Sequence, residues 1–342
     1  MIGLADMKRR EFKAGGDPGP ESFCTIIDSS SLWEGIFSIY TIRQFHSQPI
    51  YVICDKIAEE HINLSGIENV HTRATIDAAS NSEITDGLFN GGFQGHNKNW
   101  VHYHPVSLLY RKPEAMDFAL ETNSSTLFSD CDVYYVEPIR VFLDAELGFY
   151  PIHSNCGYSK RVRQDIDRRY GYVTGAYVYT SRKDFPDWWR RGMIEDSNFY
   201  DEECLSRADD SFKVGFFPAS QFMTQYQFDF VWGRPADYDG IIDRPPLKNM
   251  RDLGWNFMDG LITHQGRAVA FHFHIDPGSV IDRGQIVDPR ARMLGRIFLT
   301  ALERSSREEH KNILEFFGTK IRRHITPLPD KWFVGKEEAH AQ

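Results

Sequence analysis

Two short patterns carry the clearest chemistry in this chain. Asp130 and Asp132 stand one residue apart, between the apolar Leu127-Phe128 and the run Val133-Tyr134-Tyr135-Val136. Two carboxylates on one side of a loop repel each other unless a cation or hydrogen bonds offset them. Their oxygens suit Mn2+ or Mg2+, with coordination positions left over for diphosphate oxygens. The second pattern is Phe271-His272-Phe273-His274-Ile275-Asp276. On a strand, His272 and His274 project to one face and the apolar residues to the other. A neutral imidazole beside two carboxylates is a good Mn2+ ligand, although the pair also reads as the polar face of an edge strand. Arg111 and Lys112 are cations able to meet phosphates or a sugar, or else to cover a helix surface.

The elements that must position these groups follow an α/β pattern. Phe23 to Ile27 and Ile50 to Cys54 are short, continuous apolar runs, as in strands buried on both faces, and each ends at an aspartate, Asp28 and Asp55. Between them Ser31 and Glu34 have capping-box spacing, predicting a helix that ends near Phe45. Strand, helix, strand at this spacing is a βαβ unit with parallel strands. A third strand is expected at Val70 to Thr75, helices at Trp100 to Tyr110 and Pro113 to Leu120, and a strand at Tyr172 to Thr180. Further helices are expected at Pro186 to Ile194, Glu202 to Ala208, Pro289 to Leu302 and Glu308 to Phe317. Short strands are expected at 214–217 and at Val269 to Ile275. Residues 77–99 read as a long polar loop with Gly87, Gly91, Gly92 and Gly95; it lacks the ending of a phosphate-binding P-loop. The expected organisation is a flexible segment over 1–20, a single domain over 21–327 and a tail over 328–342.

Composition removes several classes of function. Net charge is −9 and the basic runs are short, so no nucleic-acid partner is expected. The five cysteines are scattered singly without zinc spacing, which fits a reducing compartment. No window reaches the ~20 apolar residues of a membrane span. A cytoplasmic protein is expected, with peripheral membrane contact still compatible.

Thr126 to Pro138 (TLFSDCDVYYVEP) resembles the Asp-x-Asp strand of GT-A fold nucleotide-diphospho-sugar transferases. Lys112-Pro113 resembles the Lys-Pro that opens the preceding helix there. Phe23 to Asp28 and Ile50 to Asp55 are similar to the first two strands of that fold, implying that Asp28 and Asp55 border the nucleotide base and ribose. Tyr172 to Tyr179 (YVTGAYVY) resembles the Asn-Ala-Gly strand of glycogenin-like members, with Thr174 in place of Asn beside Gly175. Tyr200 to Arg207 (YDEECLSR) resembles their sugar-bordering Asp-Gln segment, with Glu202 in place of Gln. The resemblance spans about residues 22–276. It implies a mostly parallel central sheet flanked by helices, and a metal site of Asp130 and Asp132 completed by His272 or His274. Arg111, Lys112, Thr174 and Gly175 would lie around the donor.

The expected reaction moves a sugar from a nucleoside diphosphate, with uridine the first guess for the base, to a carbohydrate or glycoconjugate acceptor. In an inverting enzyme Asp201, Glu202 or Glu203 would deprotonate the acceptor hydroxyl. Two rivals stand beside it. One is a phosphohydrolase of the haloacid-dehalogenase type using Asp130 and Asp132, with Asp209-Asp210 as a later metal pair. The other is a GT-A-like scaffold that only binds carbohydrate or a partner.

Overall fold

Every residue of Phe23–Ile27 and of Ile50–Cys54 is buried, as a strand covered on both faces requires. The computed structural model describes residues 19–76, 110–139, 145–152, 172–195, 201–202, 204–217, 222–224, 262–263, 266–275 and 289–325. These fall into two units, one of residues 1–133 and 138–219, the other of 134–137 and 220–342.

The first unit is an α/β layer built on seven strands. They are β1 (Phe23–Ile27), β2 (Ile50–Cys54), β3 (Val70–Ala74), β4 (Thr126–Ser129), β6 (Leu147–Ile152), β7 (Tyr172–Thr180) and β8 (Val214–Phe216), in the order β3-β2-β1-β4-β7-β6-β8. β1 pairs in parallel with β2 and β4, β2 with β3, and β6 with β8. β7 runs antiparallel to both β4 and β6. The sheet is thus mostly parallel, as expected.

Its helices are α1 (Leu32–Phe45), α2 (Lys56–Leu64), α3 (Arg111–Leu120) and α4 (Phe185–Glu195), with a short 3-10 helix at Cys204–Asp210. Cys24, Ile26, Ile53, Met116, Phe128, Val178, Phe185 and Trp189 belong to one hydrophobic core cluster, which draws on the sheet, α3 and α4. Burial pushes the Cys24 and Cys54 thiols up to about 12, so both act as small apolar residues.

Several local expectations are corrected. α1 begins where the spacing predicts, but no capping box forms: Ser31 makes no side-chain cap bond. Asp28 captures it instead, its Oδ1 accepting from the Ser31 hydroxyl at 2.7 Å and the Ser31 N–H at 2.9 Å. The strand β6 is new; Gly148 and Pro151 hide it in the sequence, and its register with β7 shifts between Phe149 and Pro151, where a proline is tolerated. The helix expected at Glu202 to Ala208 is the 3-10 turn at Cys204–Asp210. Of the helix expected at Trp100 to Tyr110, residues 100–109 lie outside the described residues, as does the glycine loop.

The second unit holds a sheet of β5 (Val133–Tyr135), β12 (Ala270–His272) and β9 (Phe222–Thr224), in the order β5-β12-β9, and a two-stranded ribbon of β10 (Ile262–Thr263) and β11 (Gly266–Arg267). β12 is shorter than the strand expected over Val269 to Ile275. Two helices follow, α5 (Pro289–Glu303) and α6 (Glu308–Phe316), with a π-helical turn at Phe317–Ile321. Tyr134, Phe271, Phe273 and Phe298 form its aromatic core, with ring centroids 4.9 to 5.8 Å apart. Val136 N–H donates to the Val269 carbonyl at 2.9 Å, a His310 ring nitrogen meets the Val136 carbonyl at 2.6 Å, and Arg307 pairs with Glu137 at 2.5 Å. Among the described residues no helix is long and apolar enough to cross a membrane.

Candidate active site

β4 lies between β1 and β7 in the middle of the first unit's sheet, and all four of its residues are buried. Its carboxyl end delivers the Asp-x-Asp turn. Asp130 N–H donates to the Ala176 carbonyl on β7 at 3.0 Å, and the Asp130 carbonyl accepts from Val133 N–H at 3.1 Å, closing the turn. Ser38 of α1 donates its hydroxyl to the Val133 carbonyl at 2.6 Å, fixing the exit. The turn is therefore held from both sides through its own backbone groups, by β7 on one side and the Ser38 hydroxyl on the other. Asp132 is buried at 6% exposure, where a carboxylate is costly unless matched by positive charge or hydrogen bonds.

The strongest electrostatic feature is on α3. Lys112 is 4% exposed, and its ammonium lies 2.9 Å from Asp130 Oδ1 and 2.7 Å from Asp201 Oδ2. It also donates to the Gly175 carbonyl at 3.3 Å. An ammonium has three hydrogens, and these three acceptors engage them all. Burial opposes the charge on Lys112, but Asp130 and Asp201 outweigh it and raise its pKa above the ordinary lysine value. Two carboxylates meet one ammonium here, so the cluster keeps a net negative charge suited to a cation.

Gly175 on β7 makes the cluster possible. A Cβ at that position would lie 2.1 Å from Asp201 Oδ2 and 2.8 Å from its Cγ, inside any tolerable contact. Gly175 N–H also donates to Glu202 Oε1 at 3.0 Å. Thr174, 2% exposed, turns inward and accepts from Ala176 N–H at 3.1 Å. Lys112, Asp130, Gly175, Asp201 and Glu202, all named from the sequence, are thus brought together. The ion pairs among them had no signal in the sequence, because a pairing between distant positions leaves no local pattern.

Other candidates are engaged elsewhere. Arg111 pairs with Glu114 of its own helix at 2.5 Å. Asp55 caps α2, accepting from Ala58 N–H at 2.8 Å, and ties down Ser29 N–H at 2.6 Å. Asp28 and Asp55 thus shape the two loops at the carboxyl ends of β1 and β2. Trp189 is fully buried, and Trp188 packs on Phe185 and Phe212. Asp209 and Asp210 are exposed at the end of the 3-10 helix. Glu203 lies outside the described residues.

In the second unit, His272 ends β12 half-buried, stacked on Phe222 at 5.9 Å and 21°. Phe271 and Phe273 turn the other way into the aromatic core, the alternation expected of a strand. His274, also half-buried, lies two residues beyond the strand's end.

No protein-family model matches this chain, and no curated protein matches it in sequence. Several solved structures resemble it. A galactosyltransferase, LgtC, solved in complex with donor and acceptor sugar analogues, shares 12% identity at a TM-score of 0.48, over 91% of this chain and 99% of that one. The glycosyltransferase GlyE of Streptococcus pneumoniae TIGR4 shares 12% identity at a TM-score of 0.44, over 89% of this chain and 64% of that one. Mouse xyloside xylosyltransferase 1 shares 7% identity at a TM-score of 0.45, over 74% of this chain and 97% of that one. All three are glycosyltransferases. At TM-scores of 0.44 to 0.48 such likeness assigns no activity to this chain.

Proposed function

We propose that this protein is a metal-dependent glycosyltransferase of the GT-A type, moving a sugar from a nucleoside diphosphate to a carbohydrate or glycoconjugate hydroxyl. The observation that carries the reading is the buried Lys112–Asp130–Asp201 cluster, standing around an Asp-x-Asp turn at the carboxyl end of a central strand. Ligands of open α/β sheets bind at that end.

Asp130 and Asp132 would hold a divalent cation, Mn2+ or Mg2+. The donors fit: two hard carboxylates suit either ion. When bound, the cation would supply Lewis-acid stabilisation to the departing diphosphate.

The chain's own residues would do the rest. Lys112 spends its hydrogens on Asp130, Asp201 and Gly175, so it orients those two carboxylates rather than reaching a phosphate itself. Asp201, held by that ammonium, is suited to accept hydrogen bonds from the donor sugar. Glu202, half-exposed and anchored through Gly175 N–H, is the better candidate to deprotonate an acceptor in an inverting reaction. Gly175 leaves the room that lets Asp201 lie against β7.

The test is a panel of UDP-, GDP- and CDP-sugars with and without Mn2+, read as release of the nucleoside diphosphate. UDP-sugars are expected to be cleaved, and EDTA to stop the reaction. Undiminished turnover in EDTA would overturn the reading. Rapid phosphate release from p-nitrophenyl phosphate, with no nucleotide-sugar cleavage, would favour a phosphohydrolase. No thermal shift with any nucleotide and metal would leave only a scaffold.

A further inference from the structure

We infer that Trp189 is a positioning residue for the proposed donor site, holding Asp201 by its backbone so that the carboxylate stays on Lys112. The inference rests on the proposed function only for its catalytic readout. The Trp189 indole N–H donates to the Asp201 carbonyl at 2.7 Å, in a fully buried contact. The same carbonyl receives the Cys204 thiol at 3.6 Å. Two donors on one carbonyl fix the main chain of a residue whose side chain makes a 2.7 Å ion pair.

The indole itself has little freedom. Its ring stacks on Phe185 at 5.7 Å and meets Phe128 edge-on at 6.2 Å. Phe128 lies on β4, two residues before Asp130, so one aromatic cluster braces both the strand that delivers Asp130 and the tryptophan that holds Asp201. The approach of the 3-10 helix is equally specific: a Cβ on Gly192 of α4 would lie 2.7 Å from Cys204 Cβ. A glycine is unfavourable in a helix interior relative to alanine, and here it lets α4 and the Cys204 turn approach each other. Arg190, next to Trp189, pairs with Asp117 of α3 at 2.5 Å, so the helix carrying the indole is tied to the helix carrying Lys112.

An indole replaced by benzothiophene, through 3-benzothienylalanine at position 189, removes the N–H and keeps the ring volume; Trp189→Phe is the genetically simpler companion. With the cleaved donor, kcat is expected to fall by about tenfold or more, since misplacement of a reacting group by about 1 Å can cost about 100-fold. Donor KM should change less than about threefold, on the same positioning argument. In an Asp201→Asn background the same replacement should change kcat by less than about twofold, because both changes act on one group. An unchanged kcat, or an equal fall in both backgrounds, would overturn the inference.

A readout independent of turnover separates this from the proposed function. The 15N signal of the Lys112 ammonium, protected by its buried partners, should broaden or vanish in the benzothienyl protein at a temperature where its near-UV circular dichroism is native. If no sugar is transferred even by the unmodified protein, that signal alone decides: its persistence overturns the positioning role, and its loss upholds it.

Discussion

The Lys112 ammonium and the Asp201 carboxylate, far apart in the chain, meet at 2.7 Å with both side chains about 5% exposed. Asp130 joins the same ammonium at 2.9 Å. One buried cation therefore organises two acidic groups at the carboxyl end of the sheet, and its removal strands both.

Lys112→Met is expected to lower stability by about 3–5 kcal/mol, the range for breaking a buried pair and leaving its partner uncompensated. Urea unfolding of the metal-free protein checks this. A loss below 1 kcal/mol would mean that the carboxylates find other partners.

Asp132→Asn and Asp130→Asn should each lower sugar transfer by about 100-fold or more, the scale of losing a charge-stabilising group. Both should also abolish the Mn2+-dependent rise in melting temperature with UDP. A bound ligand at ~100 times its Kd adds about 2.7 kcal/mol to a competent site, so calorimetry resolves the difference. Full activity in either variant would remove the metal from the mechanism.

Gly175→Ala places a methyl 2.1 Å from Asp201 Oδ2. Overpacking of this kind costs about 1–3 kcal/mol, and the carboxylate must leave Lys112 to relieve it. Transfer should collapse while the variant still folds. Near-normal activity would show that Asp201 works from another position.

His46 supplies a pH dependence away from the proposed site. Burial lowers its pKa first, nearby Arg43 adds to this, and Gln48 opposes it, for a net fall from 6.5 to about 4. Its Nε2 accepts from Ile139 N–H at 3.0 Å, so the native ring is neutral there. The unfolded state therefore binds more protons between pH 4 and 6.5, and stability rises with pH across that window. The contribution is complete above pH 6.5 and is lost as pH falls towards 4, with an upper size of about 3 kcal/mol. Urea midpoints from pH 4 to 7.5 should show a shallower slope in His46→Gln than in the unsubstituted protein.

The sequence by itself determined the elements with strong local signatures. Two uninterrupted β-branched runs made β1 and β2 legible, and an apolar period of 3.6 made α1, α3, α5 and α6 so. Asp130-x-Asp132 was visible because its chemistry lies within three residues. β6 escaped because Gly148 and Pro151 break its pattern, while its neighbours β7 and β8 supply the pairing. The capping box at Ser31 failed because Asp28 engages the same hydroxyl, its Oδ1 accepting the hydroxyl proton and its N–H donating to the hydroxyl oxygen that a cap would need. Only the tertiary structure decided that Lys112 faces Asp130 and Asp201 rather than solvent, and that Trp189 holds Asp201. Each of these is a choice among partners distant in the chain. Burial makes the choice, since a charge or an indole N–H removed from water must find whatever group the fold has brought within reach.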